Sequence, residues 1–284
     1  MKIRILSGIV AAILLFAIML SGTAVFAAAL FVFALFGIHE FYDAMEKAGN
    51  RPVRIPGYLS CLLFLLPAAE AAGLLKGIRE SAGSGFLMDI ALLAAFIALL
   101  VLMLLPVFKK NVYRHSDIAL TILGILYVPF LFMFIMMTRE LDYGKYLVWL
   151  IFIGAWVTDI FAYFTGTFFG KHKLMPAISP SKTVEGAVGG LLACIVISVL
   201  YGYLIRTLAG VVILPLYCYA VIALISGITS QLSDLSASSV KRYAGIKDFG
   251  SIMPGHGGVL DRLDSLLFVA PAVYFMLGII CGAG

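Results

Sequence analysis

Long apolar runs alternate along the chain with short polar connections, and each run approaches the length of a bilayer crossing. The expected spans are 5–20, 23–38, 57–75, 86–107, 117–137, 146–168, 186–205, 211–233 and 263–281. A helix needs roughly 20 consecutive apolar residues to cross the hydrocarbon. There every backbone N–H and C=O must be satisfied internally, which leaves helices or a closed barrel. Barrel strands alternate apolar and polar side chains, whereas these runs are unbroken. The pattern therefore predicts an all-α polytopic integral membrane protein of about nine transmembrane helices.

Composition agrees. Of 284 residues, 63% are hydrophobic and 12% charged, more apolar surface than a soluble domain of this length could bury. Cys61, Cys194, Cys218 and Cys281 all fall in apolar runs without metal-ligand spacing, so no disulfide framework is expected. Residues 1–29 have a second reading as a signal peptide, with Lys2 and Arg4 as its basic end and Ala27-Ala28-Ala29 at its cleavage site. The equally apolar run that follows at once favours a retained pair of helices.

Charge then sets orientation. Nine spans place Lys76, Arg79, Arg139, Lys145 and Arg206 on one face, and the other 15 of the 20 Lys and Arg on the opposite face. Positive loops stay in the cytoplasm, which predicts the N-terminus inside and the C-terminus outside. The net charge of +5 accordingly reads as topology and contact with anionic lipid, not nucleic-acid binding. Neither a repeat nor a soluble second domain is visible. The expectation is one membrane domain over 1–284, with generic helices over 1–138 and the chemistry in a catalytic half over 139–284.

The longest polar stretch runs from Gln231 to Asp264. Gln231, Asp234, Ser238 and Lys241 are spaced 3, 4 and 3 apart, so a helix would carry them on one face. Asp261 and Asp264 are three apart at the start of the last span. Three converging carboxylates repel one another and need cations. Oxygen donors without a His/Cys set suit Mg²⁺ rather than zinc. Lys241, Arg242, Lys247 and Arg262 lie in the same stretch. Acids that hold a metal, beside cations that neutralise phosphate oxygens, are what phosphoryl transfer requires. Residues 250–258, which include His256, Gly257 and Gly258, are rich in glycine and would let backbone N–H groups approach phosphate. The plain alternative, snorkelling anchors at a membrane edge, fits a single charge better than this cluster.

Two further groups lie upstream. Asp159 sits inside span 6 and forms a stripe with Tyr163, Gly166 and Gly170 at spacings of 4, 3 and 4. An acid inside a membrane helix marks a functional site by default, although a glycine-lined packing seam has the same pattern. In Ser179-Pro180-Ser181-Lys182-Thr183-Val184-Glu185-Gly186, Ser179 is expected to N-cap span 7 with Pro180 at the first helical position. That helix end, with Lys182, would be an anion site.

These residues carry a family resemblance. Ser238-Ser239-Val240-Lys241-Arg242, then Lys247-Asp248, Gly250, Pro254, His256-Gly257-Gly258 and Asp261-Arg262-Leu263-Asp264 closely resemble the signature of phosphatidate cytidylyltransferases, the CDP-diacylglycerol synthases. The Asp159–Tyr163–Gly166 and 179–186 segments are similar to that family too, so the likeness covers 156–264. Met253 stands where the pattern has Leu, Ile or Phe, Ser181 where a second lysine is common, and Ser233 where glycine is common. The resemblance implies a Mg²⁺-dependent nucleotidyltransferase of phospholipid biosynthesis: CTP and phosphatidate give CDP-diacylglycerol and pyrophosphate. It implies Asp234 and Asp264, with Asp261, as metal ligands, K⁺ sharing the metal site, a homodimer, and a bacterial inner membrane with a cytoplasmic active site.

On this reading the lipid phosphate attacks the α-phosphorus of CTP. Lys241, Arg242, Lys247 and Arg262, with Ser179, Lys182 and Ser238, would contact phosphates. His256, Gly257 and Gly258 would shape the loop over the nucleotide, and Asp159 and Tyr163 would line the headgroup groove. Two rivals use the same residues. One is a CTP-using kinase of a lipid alcohol. The other is an ion-coupled transporter built on Asp159, Glu70 and the acid cluster, which the absence of a repeat disfavours.

Overall fold

The computed structural model describes residues 2–73, 86–109, 112–252 and 257–281. Lys76, Arg79, Lys110, Met253, Pro254 and His256 lie outside them, as do the side chains of Lys2, Arg4, Glu70 and Cys281. Within the described residues helix covers most of each expected span: α1 Lys2–Leu20, α2 Thr23–Lys47, α3 from Arg54 to Ala71, α4 Phe86–Phe108, α5 His115–Glu140, α6 Gly144–Phe169, α7 Val184–Leu208, α8 Leu216–Tyr243 and α9 Leu260–Cys281. Among the described residues, α2, α5, α6, α7, α8 and α9 are long and apolar enough to cross a membrane. The protein is an all-α integral membrane protein, with one small hairpin among the described residues.

Helix boundaries follow local chemistry. The second helix runs nine residues past the apolar limit expected at 38, because Phe41, Tyr42, Ala44 and Met45 keep one face buried. Residues 211–214, expected in span 8, precede its helix; Pro215 sits at the N-cap and sets the start. α3 passes through a 3₁₀ turn at Leu62–Phe64, and α5 through a π turn at Leu126–Phe130 that contains Pro129. A proline frees a carbonyl one turn back, and a π turn is a usual way to absorb it.

The chain forms two compact units. The first comprises residues 1–130 and 248–260. Within it Tyr42 is fully buried, its ring fits against Gly57 and Gly124, and its hydroxyl donates to the Thr121 carbonyl at 3.0 Å. Asp117 caps α5 by accepting from the Arg114 amide at 2.7 Å, and also accepts from the Arg51 amide at 2.6 Å. Cys61 here, and Cys194 and Cys218 in the second unit, are free and buried.

The second unit comprises residues 131–247 and 261–284. α6 and α7 cross at close range through glycine. A Cβ at Gly186 would meet the Ala162 carbonyl and the Gly166 Cα, and one at Gly190 the Thr158 carbonyl. Small residues let membrane helices approach to backbone contact. Gly166 is thus part of a packing seam.

Between α6 and α7 lies an antiparallel hairpin, β1 Lys173–Met175 and β2 Ser179–Thr183. This corrects the expected helix start. Ser179 and Pro180 are strand residues, and the N-cap is Thr183, whose Oγ1 accepts from the Gly186 amide at 3.1 Å. Pro180 is tolerated because an edge strand leaves alternate amides unpaired, and threonine caps nearly as well as serine. Glu185 holds the approach to β1, accepting from the Lys171 amide at 3.1 Å and pairing with His172 Nδ1 at 2.6 Å.

Candidate active site

Three helices and the hairpin of the second unit bring acids and lysines together. α6 supplies Asp159, β2 supplies Lys182, α8 supplies Asp234 and Lys241, and the first turn of α9 supplies Asp261 and Asp264. The 3.6-residue period places Gln231, Asp234, Ser238 and Lys241 along one stripe of α8, as the spacing predicts. The stripe meets different neighbours along its length. Gln231 Nε2 donates to the Ala187 carbonyl at 3.1 Å, Asp234 Oδ2 pairs with Lys182 Nζ at 2.5 Å, and Lys241 Nζ pairs with Asp261 Oδ1 at 2.8 Å. Lys241 Nζ also lies 3.8 Å from Asp264 Oδ2.

Asp159 and Asp264 are joined by serines. Ser265 Oγ donates to Asp159 Oδ2 at 2.7 Å while its own amide donates to Asp264 Oδ1 at 2.8 Å. Ser230 Oγ lies 3.3 Å from Asp159 Oδ1 and 3.4 Å from the Ala155 carbonyl. Ser233 Oγ donates to the Asp264 carbonyl at 2.5 Å. All three serines are buried. Asp159, Asp234 and Asp264 are close enough for their charges to act on one another.

The electrostatic balance is informative. Asp234 pairs with Lys182, Asp261 and Asp264 with Lys241, and a fourth carboxylate, Asp159, is met by serine hydroxyls. With all four ionised, two negative charges would be left over, which is expensive in a partly buried cluster without a further cation. Among the described residues, no three acidic, His or Cys side chains converge tightly enough to hold a metal as they stand. The donor chemistry nonetheless fits a hard divalent cation: the acceptor atoms gathered here are carboxylate and hydroxyl oxygens. The lysine ammonium groups occupy the positions of positive charge.

The remaining expected residues are less concentrated. Arg242 is exposed, with Nε 3.3 Å from the Ile178 carbonyl in the hairpin turn. Ser179 and Ser238 are half-buried; Lys247 and Arg262 are exposed. Tyr163 is 68% exposed and packs edge-on against Phe164. Gly257 and Gly258 belong to the first unit. There Gly258 is packed against the carboxylate of Glu40, so its lack of a side chain serves a protein contact.

Sequence reasoning missed Ser230, Ser233, Ser265 and Glu40. The serines had a signal: Ser226, Ser230, Ser233 and Ala237 run at helical spacing along the buried face of α8. Glu40 lies just past the expected end of span 2, which hid it.

Comparison with known proteins bears on the whole chain. The model of the cytidylyltransferase family matches residues 2–280. A phosphatidate cytidylyltransferase of Bacillus subtilis (strain 168) is 35% identical over 283 residues, which cover 98% of each chain. Those of Staphylococcus saprophyticus and Staphylococcus aureus (strain COL) are each 34% identical over 278 residues, covering 98% of this chain and 99% of theirs.

Proposed function

The chain belongs to the cytidylyltransferase family, and from that premise we propose that it transfers the cytidylyl group of CTP to phosphatidate. The products are CDP-diacylglycerol and pyrophosphate. Relatives of that activity align over nearly the full length of both chains, which supports the substrate pair. The observation that carries the reading is the cluster of four carboxylates and two lysines that α6, β2, α8 and α9 bring together.

In this reaction an oxygen of the lipid phosphate forms a bond to the α-phosphorus of CTP, and the bond from that phosphorus to the bridging β-oxygen breaks. A phosphomonoester has its second pKa near about 6, so the nucleophile is largely ionised at neutral pH and needs little base catalysis. The barrier is repulsion between two anions, which makes positioning and neutralisation the main tasks. Asp234 and Asp264, with Asp261, would hold Mg²⁺, joined by K⁺. A bound divalent ion supplies charge neutralisation on the phosphates. Lys182 and Lys241 then turn from carboxylate to phosphate oxygens, together with Arg242, Lys247 and Arg262. Ser179 and Ser238 add hydroxyl donors. Gly257 and Gly258, with His256, shape the segment at the nucleotide, and Asp159 and Tyr163 line the approach of the headgroup.

The distribution of Lys and Arg supports nine spans, an N-terminus inside and a site at the cytoplasmic face of a bacterial inner membrane, where soluble CTP and membrane lipid meet. A homodimer completes the proposal. The test is pyrophosphate release by the detergent-purified protein with CTP, Mg²⁺ and phosphatidate, omitting each in turn. Release that needs all three, with CDP-diacylglycerol as the lipid product, supports the assignment. Turnover with a polyprenol in place of phosphatidate, giving a phosphorylated alcohol, would overturn it.

A further inference from the structure

Glu40 lies in α2 of the first unit, 2% exposed, on the helix face that also buries Phe41, Ala44 and Gly37. Burying a carboxylate is costly unless donors surround it. Its donors come from more than two hundred residues away. Oε1 accepts from the Val259 amide at 3.0 Å, and Oε2 from the Leu260 amide at 2.7 Å. The first amides of a helix have no intrahelical acceptor, and a negative charge is favourable there.

Glycine geometry adds a second constraint. A Cβ placed on Gly250 or on Gly258 would fall on the Glu40 carboxylate itself. Two backbone points eight residues apart are therefore gathered onto one side chain. Gly257, next to the second point, has φ +84°, a conformation that side-chain-bearing residues rarely adopt. The backbone of Gly257 and Gly258 is thus fixed from one side by the carboxylate and from the other by its own geometry.

We propose that Glu40 is a positioning residue for the transferase reaction: it sets the backbone of Gly257 and Gly258 for the nucleotide and does not itself touch substrate. This deepens the reading given under Proposed function and rests on it. The consequence is selective. Loss of the carboxylate weakens the CTP side of the reaction and leaves the lipid side alone.

The test uses the full chain in detergent, with Glu40→Gln and Gly250→Ala. Glutamine keeps the shape and one acceptor oxygen but turns an NH₂ toward an amide that needs an acceptor. Gly250→Ala disturbs the same carboxylate while leaving Gly257 and Gly258 unchanged, so it serves if Glu40→Gln does not fold. The expected result is a rise of about tenfold in KM for CTP, the size of one lost hydrogen bond to a charged group. KM for phosphatidate and kcat should stay within about twofold. An equal rise for both substrates, or a lower Tm with unchanged KM for CTP, would overturn the proposal and leave Glu40 a structural anchor. A second readout does not depend on turnover. CTP should slow tryptic cleavage at Lys247, which immediately precedes this segment, in the parent chain but not in Glu40→Gln. Absence of that protection in the parent overturns the positioning role. Protection without any lipid product overturns the substrate assignment instead.

Discussion

The two units bury acids in opposite ways. In the first, Glu40 and Asp117 are each met by two backbone amides. In the second, Asp234 and Asp261 are met by lysine ammonium groups, and Asp159 by serine hydroxyls. A backbone amide is placed by the fold and cannot leave without unfolding something. A lysine ammonium sits on a flexible four-carbon stem and can exchange partners. The Lys182 side chain is 23% exposed and that of Lys241 13%, so both reach the edge of water. An acid met by amides without a mobile donor belongs to the scaffold; an acid that a mobile donor also reaches, as Lys241 reaches Asp264 at 3.8 Å beside the Ser265 amide, is open to a ligand. The difference separates structural from chemical carboxylates where burial alone would not.

The sharpest way to break this comparison is to neutralise one acid of each kind. If Asp264 holds the proposed metal, Asp264→Asn should lower kcat/KM by about a thousandfold or more, because such an ion would supply several kcal/mol of charge neutralisation on the phosphates. Thermal stability should stay close to that of the parent. Wild-type-like pyrophosphate release would remove Asp264 from the metal site. The lysines come next. Lys182→Met should cut turnover about a hundredfold while the Mg²⁺ concentration for half-activation falls about threefold, since a competing cation has been removed. A rise in the Mg²⁺ requirement would mean that Lys182 does not stand in for the metal charge. Asp117→Ala is the counterpart in the first unit. It should cost about 2 kcal/mol of stability, the order of a lost cap, with KM for both substrates unchanged.

Much of this was legible in the chain, and the gaps have physical causes. The helices could be read because hydrocarbon demands long apolar segments, and no other solvent enforces so plain a pattern. The α8 stripe and the Asp261–Asp264 pair could be read because helical spacing is local. The hairpin could not. Ser179 and Pro180 make a good helix start, and only pairing with Lys173–Met175 turns them into strand. Glu40 was invisible for a related reason: its partners Val259 and Leu260 contribute only backbone amides, which leave no trace in residue identity. Gly250 and Gly258 left a trace but pointed elsewhere, since a close approach to phosphate and a close approach to a carboxylate both call for glycine.

The smallest expected effects concern the serines. Ser265 bridges two helices, its hydroxyl on Asp159 at 2.7 Å and its amide on Asp264 at 2.8 Å. Ser265→Ala removes the first bond and keeps the second, so the orientation of Asp264 survives while Asp159 loses a donor. A hydrogen bond to a charged group is worth about 1.5 kcal/mol, which corresponds to about a tenfold loss in kcat/KM. Ser230 reaches Asp159 only at 3.3 Å and lies at a similar distance from the Ala155 carbonyl. A donor shared between two acceptors gives less to each, so Ser230→Ala should lose about threefold. Parallel kinetics on the two variants test the order as well as the size. If Ser230→Ala proves the more damaging, Asp159 is held chiefly from α8, and Ser265 matters only through its amide. If neither changes turnover while both lower Tm, Asp159 belongs with Glu40 and Asp117 among the acids of the scaffold, and the chemical set contracts to Asp234, Asp261 and Asp264.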